Sequence, residues 1–163
     1  MAIPTIKQLE DELFELVRSV EAFERRGYSI YSLDDLAQKQ NLQEFPVCGV
    51  GYDGAQLVPA ARQGVPTGGL EGTHGAAIIL MQFLVVIAIQ YRYAGQDDTK
   101  PQAYDLLDEV RKKVLGYRGV NQRPWRFIGE RTEPQASGEG IAFYSQIWHT
   151  TTPVVGSFNN ASA

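Results

Sequence analysis

The 163 residues suffice for one domain with a two-layer core, and a hydrophobic share of 44% with 21% charged residues excludes the disordered and fibrous classes. Fifteen Lys and Arg against nineteen Asp and Glu leave a net charge of -4, and no basic run supplies the footprint that nucleic-acid binding needs. One cysteine, Cys48, and two histidines exclude an internal disulfide and a Cys/His zinc site, and they fit a reducing, cytoplasmic setting.

The opening Met1-Ala2-Ile3-Pro4 leads straight into an amphipathic segment, so no signal peptide is expected. Thr5 and Gln8 form a Thr-x-x-Gln capping box. Ile6, Leu9, Leu13, Leu16, Val17, Val20 and Phe23 then recur at the spacing of one helix face, predicting a helix over Thr5 to Arg25 that stops at Gly27. Lys7, Asp11, Arg18 and Glu21 mark its solvated side. Ser32 with Asp35 is a second capping signal, for a short helix carrying Leu33 and Leu36.

Phe45 to Gly51 reads as a strand in which Cys48 serves as a small apolar group, because no base lies near it in the sequence. Asp53 to Gly75 holds six glycines and two prolines and fits no regular element. A connection of that length is longer than the roughly 12 to 15 residues of idle loops, which predicts an arm that contacts another subunit. Arg62 and His74 are its candidate contact residues.

Ala76 to Tyr93 alternates as a strand. One face carries Ala77, Ile79, Met81, Phe83, Val85, Ile87 and Ile89 and should pack on helices. The other carries Ile78, Leu80, Gln82, Leu84 and Val86, also mainly apolar, so either the glycine-rich arm or a neighbouring subunit is expected to cover it. These five are the candidate interface residues. The most apolar run, Ala76 to Ile89, contains Gln82 and is shorter than the roughly 20 residues of a membrane-spanning helix.

Thr99 as a cap, Pro101 in the first turn and the stripe Ala103, Leu106, Leu107, Val110, Val114 and Leu115 predict a helix ending at Gly116. Strands follow over Arg123 to Glu133 and Gly140 to Thr151, joined by a turn-rich link, and residues 153–163 are expected to form a tail beyond a domain of residues 1–152. The order implies an α+β fold: a mainly antiparallel sheet of about four strands with two principal helices on one face.

No phosphate loop, dinucleotide fingerprint or nucleophile elbow is present, so no catalytic, cofactor or metal site is expected. His74 with Glu71 and Asp53 is the one grouping that a small metal-dependent hydrolase would use, and a loop histidine making a surface contact is the favoured alternative. His149, beside Trp148 at a strand end, is expected to be structural. Trp125, Tyr144 and Trp148 lack the basic interleaving of a single-strand-binding surface and are assigned to core or interface.

Phe83-Leu84-Val85-Val86-Ile87, Tyr104-Asp105-Leu106-Leu107-Asp108-Glu109-Val110-Arg111, Arg126-Phe127-Ile128-Gly129-Glu130-Arg131 and Tyr144-Ser145-Gln146-Ile147-Trp148, in that order, resemble the tail terminator family of Mu-like phages over about Val47 to Thr151. The resemblance implies a structural virion protein, assembled in the host cytoplasm. It would form a homo-oligomeric ring, commonly a hexamer, that caps the tail tube, stops its growth and docks onto the head connector or neck. Tail tube protein, connector and possibly sheath are then the partners. DNA would slide through the lumen unbound, with Glu130, Glu133 and Glu139 as candidate lumen acids, and no cofactor or membrane is involved. A different neck or head-completion protein is the alternative.

Overall fold

Among residues 3–38, 45–58, 76–90, 96–134 and 140–155, which the computed structural model describes, local capping chemistry sets the first element. Thr5 opens α1 (Ile6–Arg18) with both halves of its capping box formed: the Gln8 N–H donates to the Thr5 hydroxyl at 3.2 Å, and the Thr5 N–H donates to Gln8 Oε1 at 2.9 Å. The helix ends at Arg18, short of the expected Arg25. Val20 and Phe23 stay buried all the same, because a single tighter turn over Glu21–Phe23 keeps residues three apart on one side.

β1 (Gly27–Ser29), which the sequence did not announce, runs parallel to β2 (Val47–Leu57), and between them lies α2 (Leu33–Ala37), capped by Ser32 as predicted. β2 continues past the expected Gly51, so the sheet takes in the first residues of the supposed arm; residues 59–75, with Arg62, Glu71 and His74, lie outside the described residues. β3 (Ala76–Gln90) follows. α3 (Gln96–Val114) begins upstream of Thr99, which therefore sits within the helix and does not cap it. β4 (Arg126–Thr132) and β5 (Ile141–Val155) complete the described elements, and β5 runs on through Pro153 into the segment assigned to the tail, pairing up to Ala76↔Val155.

The sheet order is β1-β2-β3-β5-β4, antiparallel except for β1 with β2. The α+β class stands, with five strands in place of four. β3 and β5 pair along their whole lengths at the centre.

Two apolar layers flank this ladder. On one side Met81, Phe83, Val85, Ile87 and Ile89 pack with Leu9, Leu13 and Val17 of α1, Leu107, Val110 and Val114 of α3, and Trp125 and Trp148, as the alternation required. Phe83 meets the rings of Tyr52 and Trp125 edge-on at 5.5 and 5.2 Å. On the other side Val86 and Ala88 pack with Ile30, Leu36, Val47 and Phe143. This layer depends on two missing side chains: a Cβ on Gly49 would come within 2.9 Å of Ile30 Cδ1, and one on Gly51 within 2.0 Å of the Ile30 carbonyl.

Candidate assembly interface

The second face of β3 divides into two zones. Its lower zone is covered from within the chain by the segment from Ile30 to Leu36, so Val86, expected at a subunit or tube interface, is fully buried in the chain's own core. Neither the glycine-rich arm nor a second subunit is needed there. The upper zone differs. Ile78, Leu80, Gln82 and Leu84 are all half-buried, and their cross-strand partners on β5 are Pro153, Thr151, His149 and Ile147.

Gln82 organises the upper zone. Its Nε2 donates to Asp53 Oδ2 at 2.6 Å and its Oε1 faces His149 Nε2 at 2.8 Å, so the neutral imidazole carries its proton on Nε2. Burial pushes the His149 pKa below its ordinary value of 6.5, which favours that neutral form. The Asp53 side chain reaches this face because β2 is bulged between Tyr52 and Gly54. A shallow cavity of about 190 Å³ opens beside it, lined by Asp53, Gly54, Ala55, Gln56, Leu80 and Gln82. The Asp53 carboxylate is held by Gln82, while His74 and Glu71, its expected companions, lie outside the described residues; among those described, no three of His, Cys, Asp and Glu form a metal-binding group.

Two of the candidate lumen acids are not bare charges. Glu130 lies toward the helices, where Oε2 accepts from Gln146 Nε2 at 3.0 Å and Oε1 is 3.5 Å from Arg111. Glu133 accepts from Ser145 at 2.5 Å and from Arg131 at 2.6 Å. Burial alone would raise its pKa, but those two bonds and the Arg131 charge outweigh it and hold the carboxyl below its usual range. Glu139 lies outside the described residues.

Trp125 and Trp148 are fully buried and offer no stacking platform. Cys48 is also buried, its thiol donating to the Arg26 carbonyl at 3.3 Å, and burial pushes its pKa to about 12, so it stays protonated. Two acids escaped the sequence reading. Glu10 accepts from the Ser29 hydroxyl and the Tyr52 N–H, each at 2.9 Å, and Glu12 accepts from Trp125 Nε1 at 2.9 Å and the Val120 N–H at 2.6 Å. Together they clamp α1 to the upper sheet and to the loop before β4. The one signal for Glu12 is its place on the helix between the buried Leu9 and Leu13.

No helix among the described residues is long and apolar enough to cross a membrane. No family model matches the sequence, and no curated protein sequence matches it. Solved structures do match in three dimensions. The chain superposes over its full length on the sheath/tube terminator of PVC, an extracellular contractile injection system, in its extended state, with a TM-score of 0.54 at 12% identity, and it spans 61% of that chain. A chain from the virion of a native gene transfer agent particle aligns with 87% of this chain and 92% of its own length, at a TM-score of 0.48 and 10% identity. The chain shares its fold with a sheath/tube terminator of a contractile injection system.

Proposed function

We propose that this chain is a non-enzymatic structural protein that terminates a phage-type tail, forming a homo-oligomeric ring, a hexamer in the simplest case, that caps the tube, stops its growth and joins it to the head connector. The observation that carries this is the superposition of the whole chain on a sheath/tube terminator. The half-open apolar zone around Ile78 and Leu80 fits a protein that completes its burial by assembly. The sequence resemblance to Mu-like tail terminators supports the same role. The partners are then other copies of the chain, the tube protein, the connector or neck and, in a contractile tail, the sheath, with DNA passing through unbound and the protein residing in the virion.

The test is the mass of the purified protein by light scattering, alone and with tail tubes, with negative-stain imaging of the same samples. Rings of about six copies, or caps at tube ends, are expected. Binding to isolated connectors with no affinity for tube ends would assign the chain to the neck, and a protein that stays monomeric and ignores tube ends would overturn the proposal.

A further inference from the structure

Apart from Arg25, which has no ion pair among the described residues, the described arginines fall into two groups. Arg18, Arg26, Arg111 and Arg131 each lie in an ion pair with a carboxylate. Arg118, Arg123 and Arg126 do not. These three line one cavity of about 540 Å³ at the start of β4, together with Asn121, Gln122 and an apolar frame of Ile3, Pro4, Pro124 and Pro153, and no carboxylate is among the lining residues. In a chain of net charge -4, three guanidinium groups brought together without a counter-charge repel one another. An anion would relieve that repulsion, and the guanidinium fork suits a carboxylate approached in its plane.

The sheet indicates where that carboxylate comes from. One rung runs Gly54↔Gln82↔His149↔Arg126 across β2, β3, β5 and β4. At one end stands Arg126 at the mouth of the arginine cavity. At the other stands Asp53, bulged out beside Gly54, exposed, with one oxygen held by Gln82 and Oδ1 turned to no partner among the described residues. β1 pairs only with Cys48 to Val50, so at this level β2 is itself the sheet edge among the described residues, as β4 is on the far side. A single level of the molecule thus ends in a carboxylate on one edge and in three arginines on the other. Copies set side by side, head to tail, bring the two ends together, and that is the contact from which a closed ring is made.

We infer that the arginine cavity is the acceptor of a copy-to-copy contact, receiving the Asp53 edge of the neighbouring copy. The inference rests on the ring proposed above. Nucleic acid is the lesser fit, because a phosphate backbone needs a basic track along an open surface, whereas these exposed arginines line one cavity with Ile3, Pro4, Pro124 and Pro153.

Charge reversal on the full chain tests it. Arg126→Glu alone and Asp53→Arg alone are each expected to raise the concentration at half-assembly by at least about tenfold, and the double variant Asp53→Arg with Arg126→Glu, in which the pair is restored across the contact with reversed sign, is expected to recover most of that loss. Asp53→Asn keeps the shape and a Gln82 contact and removes only the charge. It should fall between wild type and the reversals, with circular dichroism and thermal melting unchanged. The inference is overturned if the single reversals assemble like wild type, or if the double variant is no better than either single. Duplex DNA retarded by wild-type protein and released by Arg126→Glu, with assembly unaffected, would assign the cavity to phosphates and overturn it as well. Failure with intact wild-type rings leaves the terminator proposal standing; wild-type protein that never assembles, even on tube ends, removes both.

Discussion

The two faces of β3 are built from nearly equal shares of apolar side chains, yet they meet different fates. One is sealed from Met81 to Ile89 by α1, α3 and two tryptophans, with Ile79 only partly buried beyond them, and the other is sealed at Val86 and Ala88 by the segment carrying Ile30 and Leu36, with Leu84 packed partly against that layer. The difference comes from supply: two long amphipathic helices suffice for one face, while a five-residue helix reaches only half of the other. An apolar pattern on a strand therefore does not by itself say how much of its burial the single chain provides.

The contrast is broken most forcefully on the sealed face. Phe83→Ala leaves a cavity between Tyr52 and Trp125 and should lower unfolding stability by about 3 to 5 kcal/mol, read by urea denaturation. On the covered half of the second face, Val86→Asp places an unpaired carboxylate under Ile30 and Leu36 and should cost about 3 kcal/mol or more in the same measurement, with assembly lost because folding is lost. Val86 measured as a stable but unassembled variant would contradict the burial described here.

Glu12→Gln tests the clamp that holds the upper end together. Glu12 Oε1 accepts from Trp125 Nε1 and Oε2 from the Val120 N–H, and the amide keeps only one acceptor and turns an NH2 toward the other donor, so a loss of about 1 to 2 kcal/mol is expected. Leu80→Asp sharpens the comparison from the open side: stability should change by less than about 1 kcal/mol, while light scattering shows assembly abolished. A destabilisation as large as that of Val86→Asp would mean that the upper zone is closed within the chain.

The smallest effect is one of pH. His149 titrates below 6.5 when folded, so as the pH falls the unfolded chain takes up its proton first. The stability tied to its neutral form is complete above about the ordinary histidine value and drains away as pH drops through the folded one. His149→Gln should flatten that part of a melting-temperature profile between pH 7 and pH 5 and leave the alkaline side unchanged.

The sequence was most legible where structure is local. Thr5 and Gln8 marked the start of α1 because a capping box is satisfied within four residues, and the alternation of Met81, Phe83, Val85 and Ile87 identified the helix-packed face because a strand's side chains have no choice but to alternate. Distance hid the rest. β1 is only three residues long and exists because Gly49 and Gly51 let the following Ile30 backbone lie against β2, a fit invisible until both segments are placed. Of the interface candidates, Leu80 and Gln82 lie in the open zone and Val86 in the core, a division decided by how far α2 reaches. The arginine cavity gathers Arg118, Arg123 and Arg126 from a stretch with no visible basic run, and only the bend of that loop back toward Ile3 and Pro153 makes them one feature.

The central ladder also shapes how the chain reaches its fold. Ala76–Gln90 pairs along its whole length with Ile141–Val155, so the longest apolar strand waits for a partner that emerges after α3 and β4. Until then one of its edges is open, which makes the nascent chain slow to settle, because strand pairing between distant segments bears its loop-closure entropy before any contact compensates. A chain cleaved before β5 would leave that edge of β3 unpaired and be a sticky fragment rather than a smaller domain.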